Sequence, residues 1–279
     1  MGRTIGNPAN MRTMQAVVAV SSGPSEIAGG SPTMRLVALL EVIASKSHRF
    51  SLRSLTEEIN LPKPTLHRML AQLEAASLLQ RSSDGRHYGI GARLRQLAEN
   101  LLLNDVHHGA RHGVLRQLVE EVGESCNLTA LAGNEVLYLD RIETAAPLRF
   151  YLHPGSRVPV HCSASGKLFL AQMTPAQRRR LLDRIPLQAH TAHTHIELPQ
   201  IENELKRVRR EGFAIDNEEF LAGLICIAVP VPSSSGRFNL CVTVHAPVVR
   251  LTPEKALALL APLRRAARAL GDIDAHAIL

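Results

Sequence analysis

The sequence contains no tryptophan, and aromatic residues make up only 3% of its 279 residues. Proteins that bind RNA or single-stranded DNA stack bases on aromatic side chains, so this shortage argues against such a module. Long apolar runs are also missing. No segment reaches the ~18 apolar residues of a membrane span, and the apolar run 16–20 is too short for a signal peptide. We therefore expect a cytoplasmic protein without a membrane partner.

Closely spaced cysteine pairs are absent as well. The four cysteines, Cys126, Cys162, Cys226 and Cys241, are far apart in the chain. A zinc ribbon or a thioredoxin-like dithiol needs a Cys-x-x-Cys pair, so neither is predicted and the thiols are expected to be reduced. We predict no cofactor and no metal ligands.

The length and the charge indicate two domains, one of them basic. A chain of 279 residues exceeds the common domain size, and 45% hydrophobic content excludes wholesale disorder. The net charge is +7, and residues 31–95 hold ten Lys or Arg against five Asp or Glu. This local excess favours a polyanionic partner for the N-terminal part.

Three short helices and a hairpin are predicted in this basic part. Apolar residues recur at helical spacing in 36–43, 52–59 and 66–73, and Ser51 is a good N-cap for the second helix. Residues 78–81 and 87–90 flank a turn that contains Asp84-Gly85, which is typical of a hairpin. The pattern predicts a winged helix-turn-helix over 31–91, preceded by a disordered tail, 1–30.

The third helix has the two faces that a DNA recognition helix needs. One face is apolar and packs on the domain, and the opposite face is polar and enters the major groove. Arg68 is placed to bond guanine, Gln72 to bond adenine, and Lys63 and Thr65 to bond phosphates. The DNA-contacting candidates are Lys63, Pro64, Thr65, His67, Arg68 and Gln72 in the helix, and Arg81, Arg86 and His87 in the hairpin 78–90, which we call the wing. The alternative is a solvated polar face on an ordinary three-helix bundle.

The remaining chain predicts a linker helix, 92–106, and a second domain, 107–273. Strands are predicted at 128–142 (a hairpin turning at Gly133-Asn134), 148–152, 213–216, 224–231 and 239–245. Helices are predicted at 114–122, 166–172, 175–183, 199–210 and 253–270. Because helices and strands mix without a regular βαβ rhythm, the fold class is α+β with a mainly antiparallel sheet.

Three segments in the right order carry a family resemblance. The helix segment Leu61-Pro62-Lys63-Pro64-Thr65-Leu66-His67-Arg68-Met69-Leu70 resembles the recognition helix of the IclR family of bacterial transcriptional regulators. Residues 155–167 (GSRVPVHCSASGK) are similar to the family's effector loop, and residues 212–230 to its second signature. The chain departs from the family at Pro64, where Ser is common, so one phosphate-bonding hydroxyl is lost.

The resemblance implies a regulator with a GAF-like effector domain, not an enzyme. It implies a homodimer or homotetramer that binds a pseudo-palindromic operator in double-stranded DNA, and a small-molecule effector such as an organic or aromatic acid. The positions it assigns to the effector are His161, Ala164, Ser165, Asp216, Cys226, Thr243 and His245. A basic His245 in the pocket would favour an acidic effector.

Two other chemistries fit parts of the sequence. Cys162 beside His161, or Cys226 with His245, would suit a thiol-dependent hydrolase if a base and an oxyanion site were positioned around the thiol. The spacing of His190, His193 and His195 would suit a metal in a bent chain, but it fits neither one helix face nor one strand face. An exposed loop is the alternative at the histidines, and plain core or helix caps are the alternatives at the effector positions.

Overall fold

The computed structural model describes residues 31–276 apart from 47–48, 60, 104–107, 151 and 234–235. The predicted disordered tail, 1–30, lies outside the described residues. The chain divides into two compact units between Ile90 and Gly91.

The smaller unit is a winged helix-turn-helix. Its elements are α1 (Pro32–Ala44), β1 (Phe50–Ser51), α2 (Leu52–Glu58), α3 (Lys63–Ala75), β2 (Leu79–Arg81) and β3 (His87–Ile90). The sheet order is β1-β3-β2 and all pairs are antiparallel. A capping box begins α2, because the Ser51 and Ser54 hydroxyls each accept the other residue's backbone N–H. The two-residue strand β1, which the sequence did not predict, adds a third strand to the predicted hairpin.

The larger unit has a six-stranded antiparallel sheet with helices on both faces. Its elements are α4 (Ala92–Leu103), α5 (His108–Val122), β4 (Ser125–Ala132), β5 (Glu135–Ile142), β6 (Arg157–Pro159), α6 (Ala164–Gln172), α7 (Pro175–Leu182), α8 (Leu198–Glu211), β7 (Ala214–Asn217), β8 (Leu224–Pro230), β9 (Leu240–Pro247), α9 (Pro253–Ala258) and α10 (Leu260–His276). The strand order is β6-β5-β4-β9-β8-β7. The predicted α+β class with an antiparallel sheet is confirmed.

Alternation along the strands separates two hydrophobic cores. In β8, Ile225 and Ile227 pack into the core shared with α5 and α10, whereas Cys226 and Ala228 pack into the core shared with α6 and α8. A buried central strand therefore has two apolar faces, which explains the continuous run Leu224-Ile225-Cys226-Ile227-Ala228-Val229 in the sequence.

Two secondary-structure predictions are wrong. Residues 148–150 and 152 form no strand, because the Leu148 and Phe150 carbonyls accept hydrogen bonds from Arg250 and Arg141 instead of from a strand partner. The predicted helix 253–270 is interrupted at Leu259, since Pro262 lacks the N–H and would clash with the preceding turn of a continuous helix. Strand β6 was not predicted.

Candidate functional site

The α3 helix presents one polar face to solvent. Leu66, Leu70 and Leu73 are buried on its inner face. Of the predicted DNA-contacting residues in this helix, Thr65 is half-buried and the others are exposed: Lys63, Pro64, His67, Arg68 and Gln72. The helix begins after Pro62 without a side-chain cap, so its positive dipole end adds to the charge of Lys63.

The three predicted wing residues differ in how they are held. Arg81 forms an ion pair with Glu74 (Nη2–Oε2 2.9 Å) and donates to the Tyr88 hydroxyl at 2.8 Å. His87 Nδ1 lies 2.6 Å from Asp84 Oδ2, and backbone N–H bonds from Arg86 together with this contact lower the pKa of Asp84. The Arg86 side chain is exposed at the hairpin turn. Arg86 is therefore the wing residue with the most direct access to a partner, while Arg81 also fixes the wing to α3.

A small, partly enclosed cavity lies where α6 begins beside the sheet. Six of the seven predicted effector positions line it: Ala164, Ser165, Asp216, Cys226, Thr243 and His245. Tyr138 and Phe220 are also in its wall. Its volume is about 10 Å³, roughly what one water molecule requires. The arrangement can thus enclose a small polar group, and a larger ligand requires the walls to move.

The seventh position, His161, does not line this cavity. Its Nε2 bonds the Gln188 carbonyl at 3.0 Å, and its ring lies 5.9 Å from the His190 ring. Burial lowers the pKa of His161. Its predicted contact with an effector stays a prediction.

The N-terminus of α6 faces the cavity without a side-chain cap. The N-cap residue, Ser163, donates its hydroxyl hydrogen to the Pro159 carbonyl and makes no cap bond. Thr129 donates to Ser165 Oγ at 2.8 Å, which fixes that hydroxyl in the wall. First-turn N–H groups of a helix favour an anion, and a cavity at this end can hold a carboxylate.

The predicted basic character of His245 is not found. Burial and the neighbouring Arg141 lower the pKa of His245 to about 3, so the imidazole is neutral. Its Nδ1 lies 2.9 Å from Asn127 Nδ2, and its Nε2 lies 3.2 Å from Arg141 Nη1. The positive charge behind the cavity belongs to Arg141, which is 8% exposed. The only sequence signal for it was the charged pair Asp140-Arg141 after the apolar run 136–139 of β5.

A second buried charge cluster lies beside Asp216. Lys167 is 2% exposed and forms ion pairs with Glu204 (3.0 Å) and Glu219. Asp216 accepts backbone N–H bonds from Glu219 (2.7 Å) and Phe220 (3.2 Å). Burial, and then the nearby Glu219 charge, raise the pKa of Asp216 to about 7. Near neutral pH this carboxyl can either donate or accept a hydrogen bond in the cavity.

The thiols are poorly suited to catalysis. Burial raises the pKa of both Cys162 and Cys226, so the reactive thiolate is disfavoured. Cys226 lies opposite His245 in the strand register, but Asn127 and Arg141 occupy both ring nitrogens of that histidine. The pair therefore lacks a base for the thiol.

The histidines of the 190–195 loop do not converge. His190 and His193 are exposed and His195 is half-buried. Within the described part of the chain, two other groups bring three potential metal ligands together: His161 with Cys162 and His190, and His108 with His112 and Asp140.

None of the described helices is long and apolar enough to cross a bilayer.

Comparisons with known protein families cover both units. The model of the bacterial transcriptional regulator IclR C-terminal domain matches residues 103–272, and that of the IclR helix-turn-helix domain matches residues 32–83.

Individual relatives agree with these matches. "Probable transcriptional regulator SauR" of Cupriavidus necator is 44% identical over 234 residues, which are 84% of this chain and 93% of that protein. Transcriptional repressor IclR of Escherichia coli is 28% identical over 236 residues, with 84% and 86% covered.

Solved structures show the same fold. The Thermotoga maritima IclR crystal structure has a TM-score of 0.58 at 23% identity, with 86% of this chain and 97% of that chain covered. An IclR homolog from Microbacterium hydrocarbonoxydans, complexed with 4-hydroxybenzoate, has a TM-score of 0.54 at 25% identity, with the same coverage.

Proposed function

Because the chain belongs to the IclR family of bacterial transcriptional regulators, we propose that α3 and the wing bind its operator and that a small carboxylate is its effector. The family confirms the resemblance found in the sequence, and it makes the chain a DNA-binding regulator with an effector-binding domain. Its relatives give no support to the thiol-hydrolase alternative.

The DNA half of the proposal rests on the exposed face of α3. Arg68 and Gln72 lie four residues apart, so they project from the same side of the helix, away from the buried leucines. Arginine bonds guanine bidentately and glutamine bonds adenine, which supplies sequence specificity. Lys63, Pro64, Thr65 and His67 at the helix start, with Arg81, Arg86 and His87 in the wing, would contact phosphates or the minor groove.

The experiment is operator binding at fixed salt with excess non-specific competitor, using DNA that flanks the gene. Arg68→Ala should weaken specific binding by about 1–3 kcal/mol, roughly five- to 150-fold, if Arg68 contacts a base. Arg180→Ala is the matched control, because it removes an arginine that is also exposed, from α7 of the other unit. Equal affinity of Arg68→Ala and the wild type would remove the base-reading role.

The effector half rests on one observation, the uncapped α6 N-terminus that faces the cavity. A carboxylate there would accept the first-turn N–H groups, and Ser165 and a protonated Asp216 would donate to it. Cys226, Thr243 and neutral His245 would form the rest of the contact surface, and His161 would contact a ligand only by turning away from Gln188. The small cavity favours a compact acid.

A matched ligand series tests the effector half. Acetate, benzoate and 4-hydroxybenzoate are compared with acetamide, benzamide and 4-hydroxybenzamide, and both thermal stability and operator release are measured. We expect acids to raise the melting temperature through preferential binding to the folded chain, and the amides to have little effect. Amides that bind as tightly as the acids would contradict a carboxylate site.

The proposal assigns 31–91 to DNA binding, 92–106 to a linker helix and 107–273 to effector binding. Within α4, Leu97 and Leu101 are 49% and 65% exposed, which supports burial in a homodimer or homotetramer. A symmetric oligomer would bind a pseudo-palindromic operator, since two-fold protein symmetry matches two half-sites. Because its ligand is chromosomal DNA, we place the protein in the cytoplasm.

A further inference from the structure

Two histidines of α5 and one aspartate of β5 converge on the side of the sheet away from the cavity. His108 and His112 are four residues apart in the helix, so both imidazoles lie on the same helix face. Asp140 lies opposite them, and one ligand atom from each residue falls within 4.8 Å of the other two. We propose that His108, His112 and Asp140 bind a divalent transition-metal ion, with zinc as the representative.

The distances fit metal coordination closely. His112 Nδ1 lies 3.1 Å from both Asp140 oxygens, and His108 Nε2 lies 3.6 Å from Asp140 Oδ1. Ligand atoms at 2.0–2.2 Å from a tetrahedral zinc ion are about 3.4 Å apart. An ion can therefore occupy the centre of this triangle with small side-chain adjustments.

A bulge in the sheet places Asp140 on the correct face. The pairing of β4 with β5 shifts between Leu128 and Thr129, so that Asp140 lies opposite Leu128 and Tyr138 lies opposite Thr129. Leu128 belongs to the core shared with α5, whereas Thr129 bonds Ser165 in the cavity wall. Strict alternation would put Asp140 on the cavity side with Tyr138, so its convergence with the two histidines depends on the bulge and could not be predicted from the alternation of residues.

The surroundings suit a bound ion better than a simple ion pair. The Asp140 side chain is 5% exposed, while the His108 and His112 side chains are 48% and 32% exposed. The Arg141 backbone N–H bonds Asp140 Oδ1 at 2.7 Å and orients the carboxylate, as partners outside the coordination sphere commonly do. If the contact only held α5 to β5, the hydrogen bond between His112 and Asp140 would be enough. The His108 imidazole also points at Asp140 Oδ1, at 3.6 Å.

The donor set indicates the class of metal. Two imidazole nitrogens and one carboxylate oxygen suit zinc, cobalt or nickel, whereas calcium and magnesium prefer oxygen ligands. Three protein ligands and the half-exposed histidine side leave a position for water or an external ligand. The ion would fasten the first turn of α5 to β5.

The competing group is His161, Cys162 and His190. There, His161 Nε2 already bonds the Gln188 carbonyl, and burial raises the pKa of the Cys162 thiol. A metal at this second group would have to break that hydrogen bond and remove the thiol proton, so the α5 group is favoured.

The test is titration of chelator-treated full-length protein with Co²⁺, followed through its visible ligand-field absorption, and then displacement by Zn²⁺. We expect one Co²⁺ per chain, and at least about tenfold weaker binding in His108→Ala, since even a partner outside the coordination sphere commonly costs 10–100-fold. His108 is half-exposed at the helix start, so its removal should not prevent folding.

His193→Ala removes an exposed loop histidine outside both groups and should bind Co²⁺ like the wild type. His190→Ala distinguishes the competing group. Absence of Co²⁺ binding by the wild type overturns the proposal, and so does binding that survives in His108→Ala or is lost in His190→Ala.

Discussion

At the residue scale, the cavity wall contains a row of side chains from three adjacent strands. Asp216 in β7 lies opposite Cys226 in β8, which lies opposite His245 in β9. Burial favours the uncharged form of each of these groups. The positive charge of Arg141 lies beside His245 in this row, whereas the charge of Lys167 is paired with Glu204 and Glu219. An entering carboxylate would thus meet neutral hydrogen-bonding groups, with the buried guanidinium of Arg141 beside His245 as the supporting cation.

The Asp216 carboxyl should make the stability of the chain depend on pH. Its pKa is raised from 3.8 to about 7 in the folded chain. Above about pH 4 the unfolded chain therefore loses this proton while the folded chain keeps it, and the free energy of unfolding falls as the pH rises toward about 7. Asp216→Asn cannot ionise and keeps an acceptor oxygen for the Glu219 and Phe220 N–H groups. Relative to the wild type, this variant should gain about 2–3 kcal/mol in free energy of unfolding between about pH 5 and about pH 8.

Urea denaturation at the two pH values measures this gain. Asp183→Asn serves as the control, because Asp183 pairs with Arg179 at the surface and its side chain is 51% exposed. A constant difference between Asp216→Asn and the wild type at both pH values would mean that the buried carboxyl titrates normally.

At the element scale, helical spacing in the sequence predicts the three helices of the smaller unit well, because each has a clear apolar stripe. The predicted strand at 148–152 is wrong at residues 148–150 and 152, where Arg250 and Arg141 side chains bond the Leu148 and Phe150 carbonyls, and helical spacing misses the break at Leu259. Six cavity residues could be named from the family resemblance alone. The role of Arg141 and the partners of Lys167 could not, since strand pairing and helix packing bring those groups together.

The turn from β6 into α6 depends on the absence of a side chain at Gly166. A Cβ built there would lie 2.2 Å from the Val160 carbonyl oxygen and 2.4 Å from Val160 Cα, which are backbone atoms that cannot rotate away. Gly166→Ala should therefore cost about 1–3 kcal/mol or more, as overpacking commonly does, and should weaken effector binding by shifting the α6 N-terminus.

Gly113→Ala is the matched helical control for this substitution. Gly113 lies in α5, and a Cβ there meets nothing within 4 Å. Alanine should stabilise that helix by about 0.5–1 kcal/mol, since glycine in a helix interior has the larger entropy cost. Chemical denaturation followed by circular dichroism compares the two variants. If Gly166→Ala and the wild type had the same free energy of unfolding, α6 would be able to shift away from Val160 without a loss of stability.

At the scale of the whole molecule, the positive charge is unevenly distributed. The chain carries a net charge of +7, and residues 31–95 account for +5 of it; eight of the ten basic and all five acidic side chains of this stretch lie in the smaller unit, and Arg93 and Arg95 lie in α4. Lysines that contact phosphates release counterions from DNA, which makes affinity fall with salt concentration. If the smaller unit alone contacts DNA, the salt dependence should respond to charges in that unit and not to charges elsewhere.

Two exposed lysines allow this to be measured. Lys63 begins α3, whereas Lys206 lies in α8 of the larger unit. Lys63→Ala should reduce the slope of log affinity against log salt by about 0.9, the value for one phosphate contact on duplex DNA. The same reduction should appear on operator and non-specific DNA, because phosphate contacts carry no sequence information. Lys206→Ala should leave both slopes unchanged; equal reductions in the two variants would instead indicate attraction by the overall charge of the molecule, without a defined DNA-binding face.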